Sequence, residues 1–346
     1  MTNTTLQDAA RIAVASADPR RSFSHRNVGL LRWTDLVGVL AGLALLPVVL
    51  PYHSLATSML VFALFASAYN LVFGYGGMLS LGHAALFGGG AYAAGMLTVH
   101  AQWPWAAALA GGALAGLMIG IVFAYLSLRV RGIYFAMITL ALAQCVFFFA
   151  YRAGDWTGGD NGLRGVPPIS LSVGDIRLSA NDPLTKYYLT FAIVAIALVA
   201  LRALLLTPFG RSLSMIRQNE LRASACGVPV LRARQLAFAV SGLLSGLAGA
   251  LYAFHIGTVP LETLSVGLSG HVVMMVLLGG MGTFAGPVIG AILFLGAEHF
   301  LADLTTHWQM VTGVLFMLLV LFFSKGIWGG VRELLEQRRM PMEAKP

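Results

Sequence analysis

Apolar residues dominate this chain in long blocks, and short polar or basic stretches separate them. The blocks predict membrane-crossing helices over 34–51, 55–73, 84–100, 104–128, 133–151, 187–206, 235–257, 265–280, 285–302 and 308–324. An α-helix rises about 1.5 Å per residue, so about 20 apolar residues cross the hydrocarbon core of a bilayer. The third, eighth and ninth blocks are short and glycine-broken; each either crosses fully or re-enters from one side. The expected fold is an all-α integral membrane protein of about ten transmembrane helices, some of them broken by glycine.

Composition points the same way. Of 346 residues, 58% are hydrophobic and 10% charged, where a soluble domain carries roughly 25% charged residues. Mean hydropathy is +0.80. A soluble fold of this length cannot hide that much apolar surface, so lipid must cover it. Forty glycines suit helices that approach one another closely in lipid.

The net charge of +8 is spread in clusters between the apolar blocks. It forms no continuous basic face, which excludes nucleic acid as the expected partner. The residues before the first block carry Arg11, Arg20, Arg21, Arg26 and Arg32. No small-residue cleavage site follows that block, so it reads as an uncleaved span rather than a signal peptide. Residues 1–33 form a basic cytoplasmic segment, 34–330 the transmembrane domain, and 331–346 a cytoplasmic tail.

Arginine and lysine then orient the spans. With both termini, Arg129/Arg131 and the 207–234 loop in the cytoplasm, 17 of the 22 Lys and Arg residues fall on one side. The near-neutral 152–186 segment is external. An odd span count would strand one basic cluster outside. Spans one to five and six to ten start on opposite sides, which admits an inverted repeat of five and five. Gly76-Gly77-Met78 resembles Gly279-Gly280-Met281, but the two do not occupy equivalent places in such a repeat.

Three segments carry candidate chemistry. The first is Arg211–Arg234. Pro208 and Gly210 end the preceding span, Ser212 is an N-cap candidate, and Gly227 followed by Pro229 is a stop signal. One helix of about four turns is expected between them. Leu213, Ile216 and Leu221 lie on its apolar side, and Arg211, Arg217, Gln218 and Arg222 on its polar side. Such a helix either docks into a groove on another protein or rests on anionic headgroups.

The second segment is Asn70–Gly95, with glycine at 74, 76, 77, 82, 88, 89, 90 and 95. Each glycine costs a helix roughly 1 kcal/mol relative to alanine, so an interruption is expected. Gly76, Gly77, Ser80 and His83 sit at the break, and Thr139 and Gln144 are polar positions in the fifth span. These six are candidates for a solute path; the bland alternative is close packing around a satisfied interior histidine. The third segment holds Trp156, Gly158, Gly159, Asp160 and Asn161, either an outer gate or receptor contact or a turn that caps helix ends.

Other chemistry is thin. Charged groups inside the spans are scarce, which argues against a proton relay. His271, Glu298 and His299 lie near outer span ends. The three lysines (Lys186, Lys325, Lys345) stand in no phosphate-binding loop, so any ATP is bound by another subunit. Gly267-Leu268-Ser269-Gly270 matches the G-x-S-G of rhomboid-type proteases, a pattern that arises easily in a glycine-rich chain. Cys145 and Cys226 predict neither a disulfide nor a metal site.

NLVFGYGGMLSLGHAALFGGGAYAAG (70–95), RGIYFAMITLALAQ (131–144), WTGGDNGL (156–163) and GGMGTFAGPVIGA (279–291) resemble the permease subunits of branched-chain amino acid ABC importers, most of all the Liv-type M permeases. Urea and short-amide permeases are close relatives. The resemblance implies a non-catalytic subunit in a bacterial inner membrane. Its implied partners are a second homologous permease, two cytoplasmic ABC ATPases that bind ATP and Mg, an external solute-binding protein, and lipid. The chain itself would hold no cofactor or metal. The basic loop then resembles the coupling segment E-A-A-x-x-x-G, aligned with Leu221–Gly227. Ala223 and Gly227 match, while Leu221 and Arg222 depart from the pattern. The implied coupling residues are Arg217, Glu220, Arg222, Ala223, Ala225 and Gly227. The implied solute is a branched-chain or other neutral amino acid; urea or a short amide, or ion-coupled secondary transport, are the alternatives.

Overall fold

The computed structural model describes residues 33–304 except 51, 170, 174, 175 and 179–181, together with 307, 310, 311, 313, 314, 317 and 326–329. The predicted segments 1–33 and 331–346 lie almost wholly outside the described residues, as does most of the tenth predicted span. Among the described residues, six helices are long and apolar enough to cross a membrane.

In chain order the first helices of the bundle are α1 (Trp33–Val49), α2 (His53–Asn70), α3 (His83–Val99), α4 (Trp105–Ser127), α5 (Ile133–Arg152) and α6 (Pro183–Leu206). After α7 (Pro208–Gln218) and α8 (Glu220–Ala225) come α9 (Val230–Ile256), α10 (Val266–Gly279) and α11 (Gly286–Leu304). Nine predicted spans thus coincide with helices among the described residues. The pattern legible in the sequence is one of apolar length, and apolar length is what forces backbone groups to pair within each segment.

α2 is the axis of the bundle. Thirteen of its residues are buried, and it continues as a π turn over Leu71–Tyr75 before the chain leaves helical geometry. The expected interruption is therefore present, with Gly77 at φ 69°. α3, α4 and α9 pack on one another through glycine. A Cβ on Gly246 would lie 2.6 Å from the Gly112 carbonyl oxygen and 2.8 Å from Gly116 Cα, and one on Gly90 would lie 2.4 Å from Gly246 Cα. Three backbones meet there because no side chain stands between them.

α4 and α5 turn much of their surface outward. Met118, Ile121, Val122 and Tyr125 of α4 and Phe148 and Phe149 of α5 are exposed large apolar groups. At one end of the bundle β1 (Leu163–Arg164) pairs antiparallel with β4 (Thr258–Val259). β2 (Leu171–Val173) and β3 (Ile176–Leu178) form a hairpin within the predicted external loop.

The basic loop differs from the single helix expected. The preceding helix stops at Leu206, just before Pro208, and Pro208 itself opens α7 at the first helical position, with Thr207 before it. There a missing N–H costs nothing. Ser212 is no N-cap but lies inside α7, its hydroxyl donating to the Pro208 carbonyl at 2.9 Å. Asn219, extended at φ −160° and ψ 110°, divides the segment. Its side-chain oxygen accepts from the Arg222 amide at 3.0 Å and caps α8. α9 also begins earlier than expected, at Val230, and Ala233 in the added turn is buried. Leu213 and Ile216 are buried as predicted, whereas Leu221 is 79% exposed.

Candidate functional site

Two interruptions and one arginine come together at a single end of the bundle. The chain breaks between α2 and α3, and again between α10 and α11. Asn70 joins the breaks: its amide nitrogen donates to the Thr283 carbonyl at 2.8 Å, and its oxygen accepts from the Gly282 amide at 2.9 Å. Arg217, on α7, donates from Nη1 to the carbonyl of Gly74 in the π turn. Its stem passes over Gly77, where a Cβ would lie 3.1 Å from Arg217 Cγ. Its tip faces Gly282, where a Cβ would lie 2.5 Å from Nη1. The similar Gly-Gly-Met stretches are therefore neighbours, and glycine at 77 and 282 leaves the space that the guanidinium fills. Arg202 of α6, fully buried, stacks over Phe284 in the second break at 4.9 Å.

α8 is tied to the same end. Glu220 pairs with Arg131 at 3.0 Å and with Arg234 at 3.1 Å, linking it to α9 and to the turn before α5. Ala223 is buried beneath it, while Leu221, Arg222, Ala225 and Gly227 face outward. Gly227, at φ 78°, ends α8 as the sequence predicts. Of the six coupling candidates, Arg217, Glu220 and Ala223 anchor the segment and the other three form its outer face.

Ser80, His83 and Thr139 converge further into the bundle. Ser241 of α9 donates to the Ala68 carbonyl at 2.7 Å, so its oxygen is free to accept from His83 Nε2 at 3.0 Å. His83 Nδ1 then accepts from the Ser80 hydroxyl at 3.0 Å. Thr139 accepts from the Leu81 amide at 3.1 Å, and Ser269 from the Ala84 amide at 3.0 Å. Ser80, His83, Thr139, Ser241 and Ser269 have no exposed surface. Together they satisfy the backbone that the break frees. Ser269 acts here as a hydrogen-bond acceptor for α3, distant in role from a nucleophile. Gln144 is half-buried and stands apart from this network.

The Trp156–Asn161 segment caps α5. Thr157 donates to the Ala150 carbonyl at 2.6 Å. A Cβ on Gly158 would lie 2.1 Å from the Gly162 carbonyl oxygen. Trp156, Asp160 and Asn161 remain exposed and Gly159 is buried. The Trp156 carbonyl accepts from His100 Nε2 at 3.1 Å.

A cavity of about 860 Å³ opens at the end opposite Arg217. α2 contributes Leu55, Ser58 and Phe62 to it, α3 Phe87, and α9 Tyr252. The 260–265 turn adds Glu262 and Ser265, and α10 and α11 add His271, Glu298 and His299. None of these was among the path candidates chosen from the sequence. A glutamate and histidine side by side in an apolar helix, Glu298-His299, were the available signal.

The sequence profile of the branched-chain amino acid transport system / permease component family matches residues 52–323. The chain belongs to that family. This permease is 25% identical over 292 residues to the high-affinity branched-chain amino acid transport system permease protein LivM of Salmonella typhimurium, covering 79% of this chain and 69% of the relative. The LivM protein of Escherichia coli K12 gives the same identity and coverage. The permease is also 33% identical over 201 residues to the autoinducer 2 import system permease protein LsrC of an Enterobacter species, covering 58% of this chain and 53% of the relative. No solved structure matches. The family resemblance read from the four sequence blocks is borne out.

Proposed function

We propose that this permease is the transmembrane subunit of an ATP-driven importer for branched-chain or other neutral amino acids in a bacterial inner membrane. The reading rests on Arg217. A short element interrupted by Asn219 lies across one end of the bundle, and its arginine reaches both helix breaks at once. An outward face of Leu221, Arg222 and Ala225 is left for a soluble partner. Five arginines lie between 207 and 234, which supports a cytoplasmic location for that end under the positive-inside bias.

In this reading two ATPases carry ATP and Mg, and this chain carries neither. Their closure moves α7 and α8 with the groove that holds them. Arg217 passes that movement to the π turn and to the 280–285 turn, and so to α2, α3, α10 and α11. A second permease completes the path, and an external binding protein delivers solute to the opposite end. Nucleotide thereby biases a two-state equilibrium between outward and inward openings. The Ser80–His83–Thr139 network sits where such a change has to pass.

Reconstitution decides the matter. The chain with its partner permease, both ATPases and the receptor is expected to accumulate leucine in proteoliposomes only when ATP is supplied. Uphill uptake by this chain alone, driven by an ion gradient, would overturn the importer reading in favour of secondary transport. ATP-driven uptake of urea and not of leucine would reassign the solute.

A further inference from the structure

We propose that the 860 Å³ cavity is a solute-binding vestibule within this single chain, selecting a small zwitterion that carries an ammonium group and an apolar side chain. The inference deepens the importer reading above by naming a site for its solute.

The cavity offers three different surfaces. Phe62, Phe87 and Tyr252 form an aromatic wall: Phe62 stacks on Phe87 with centroids 5.7 Å apart, and Tyr252 meets Phe62 at 5.8 Å and Phe87 at 5.5 Å. Glu298, half-buried, and Glu262, on the rim, supply carboxylates. Neither has an ion-pair partner among the described residues; the ion pairs there belong to Glu220. No group of three or more His, Cys, Asp or Glu among the described residues is arranged to hold a metal ion. Two carboxylates without a cationic partner among the described residues give this side of the cavity a negative character that suits an ammonium group. The third surface is the start of α10, a helix of 14 residues with Ser265 as its N-cap, which opens onto the same space. Its dipole favours a carboxylate.

A carboxylate at the centre of a spanning helix costs about 2.5–3.5 kcal/mol on insertion scales, and less toward its end. Glu298 avoids much of that cost by lining an open cavity instead of facing lipid. The volume falls within the usual range of small-molecule sites, about 300–1,000 Å³.

Binding to the purified full-length chain in lipid nanodiscs tests this, with three probes: leucine, 3-methylbutylamine, which lacks the carboxylate, and 4-methylpentanoate, which lacks the ammonium group. The expected order is leucine first, the amine next and the acid weakest. Glu298→Gln is expected to weaken leucine about tenfold or more and not to weaken the acid, which loses a like-charged neighbour. Glu262→Gln, on the exposed rim, is expected to weaken leucine less, and it serves if the first variant does not fold. Equal binding of leucine and the acid, leucine binding unchanged in whichever variants fold, or no binding of any probe would overturn the proposal. ATP-driven uptake with an unaltered solute profile in Glu298→Gln would sink the vestibule and leave the importer standing. Loss of ATP-dependence in the unaltered assembly would sink the importer, while the binding series would still report on the vestibule.

Discussion

Arg217 donates a hydrogen bond to the backbone carbonyl of Gly74 across 143 positions of sequence. The carbonyl belongs to a π turn, where the helix has begun to lose its own pairing. The arginine belongs to α7, the first element of the basic loop. A cytoplasmic-type segment and the broken axis helix thus share one bond.

That bond predicts a separation of activities. Hydrogen bonds to charged groups contribute about 1.5–3 kcal/mol. In the assembled importer, Arg217→Ala is expected to lower leucine uptake per ATP hydrolysed by about tenfold or more while the protein still inserts. Arg217→Lys keeps the charge but not the planar fork, and should fall between. Uptake and ATP turnover measured together in proteoliposomes give the ratio; an unchanged ratio in Arg217→Ala would remove the arginine from the coupling route.

The glycine contact predicts a stability difference. Gly246→Ala places a Cβ 2.6 Å from the Gly112 oxygen, and overpacking of this kind costs typically about 1–3 kcal/mol. Gly270→Ala, on α10, meets nothing within 4 Å and should be neutral or slightly stabilising through helix propensity. Thermal unfolding in detergent should show a lower midpoint for the first variant alone.

The histidine network predicts a tautomer. Because Ser241 gives its proton to Ala68, His83 must carry hydrogen on Nε2 and accept on Nδ1. Nitrogen NMR of selectively labelled histidine is expected to show that form. Ser241→Ala strands the Nε2 hydrogen in the interior, at about 1–3 kcal/mol, and should lower the unfolding midpoint. A signal from the Nδ1 tautomer would contradict the network.

Asn219 predicts a local effect. Removing its cap is worth about 0.5–2 kcal/mol, so Asn219→Ala should speed amide exchange over 220–225 while exchange in α9 stays slow. Asn219→Asp should restore protection. Uniform exchange across both variants would mean that the ion pairs of Glu220, not the cap, hold α8.

Some of this was readable without coordinates because it depends on neighbours in sequence. The apolar blocks fixed the positions of α1 to α6 and α9 to α11, since a segment in lipid must pair its own backbone. The run Gly74–Gly82 announced a break, since glycine weakens a helix wherever it stands. Gly227 announced the end of α8 for the same reason. Asn219 is not legible as a divider: the residues around it look helical, and its capping bond to the Arg222 amide exists only with the backbone in place.

What tertiary structure alone decided is which of these features meet. Gly77 and Gly282 are 205 positions apart, and only helix packing brings both to Arg217. Ser241 and His83 face each other because the glycines of α3 and α9 let two backbones approach. Glu262, Glu298 and the aromatic wall come from five separate parts of the chain. Periodicity and propensity act over a few residues, so they write the helices into the sequence. The reach of a side chain into a gap left by a distant glycine depends on how those helices settle against each other, and no local pattern carries it.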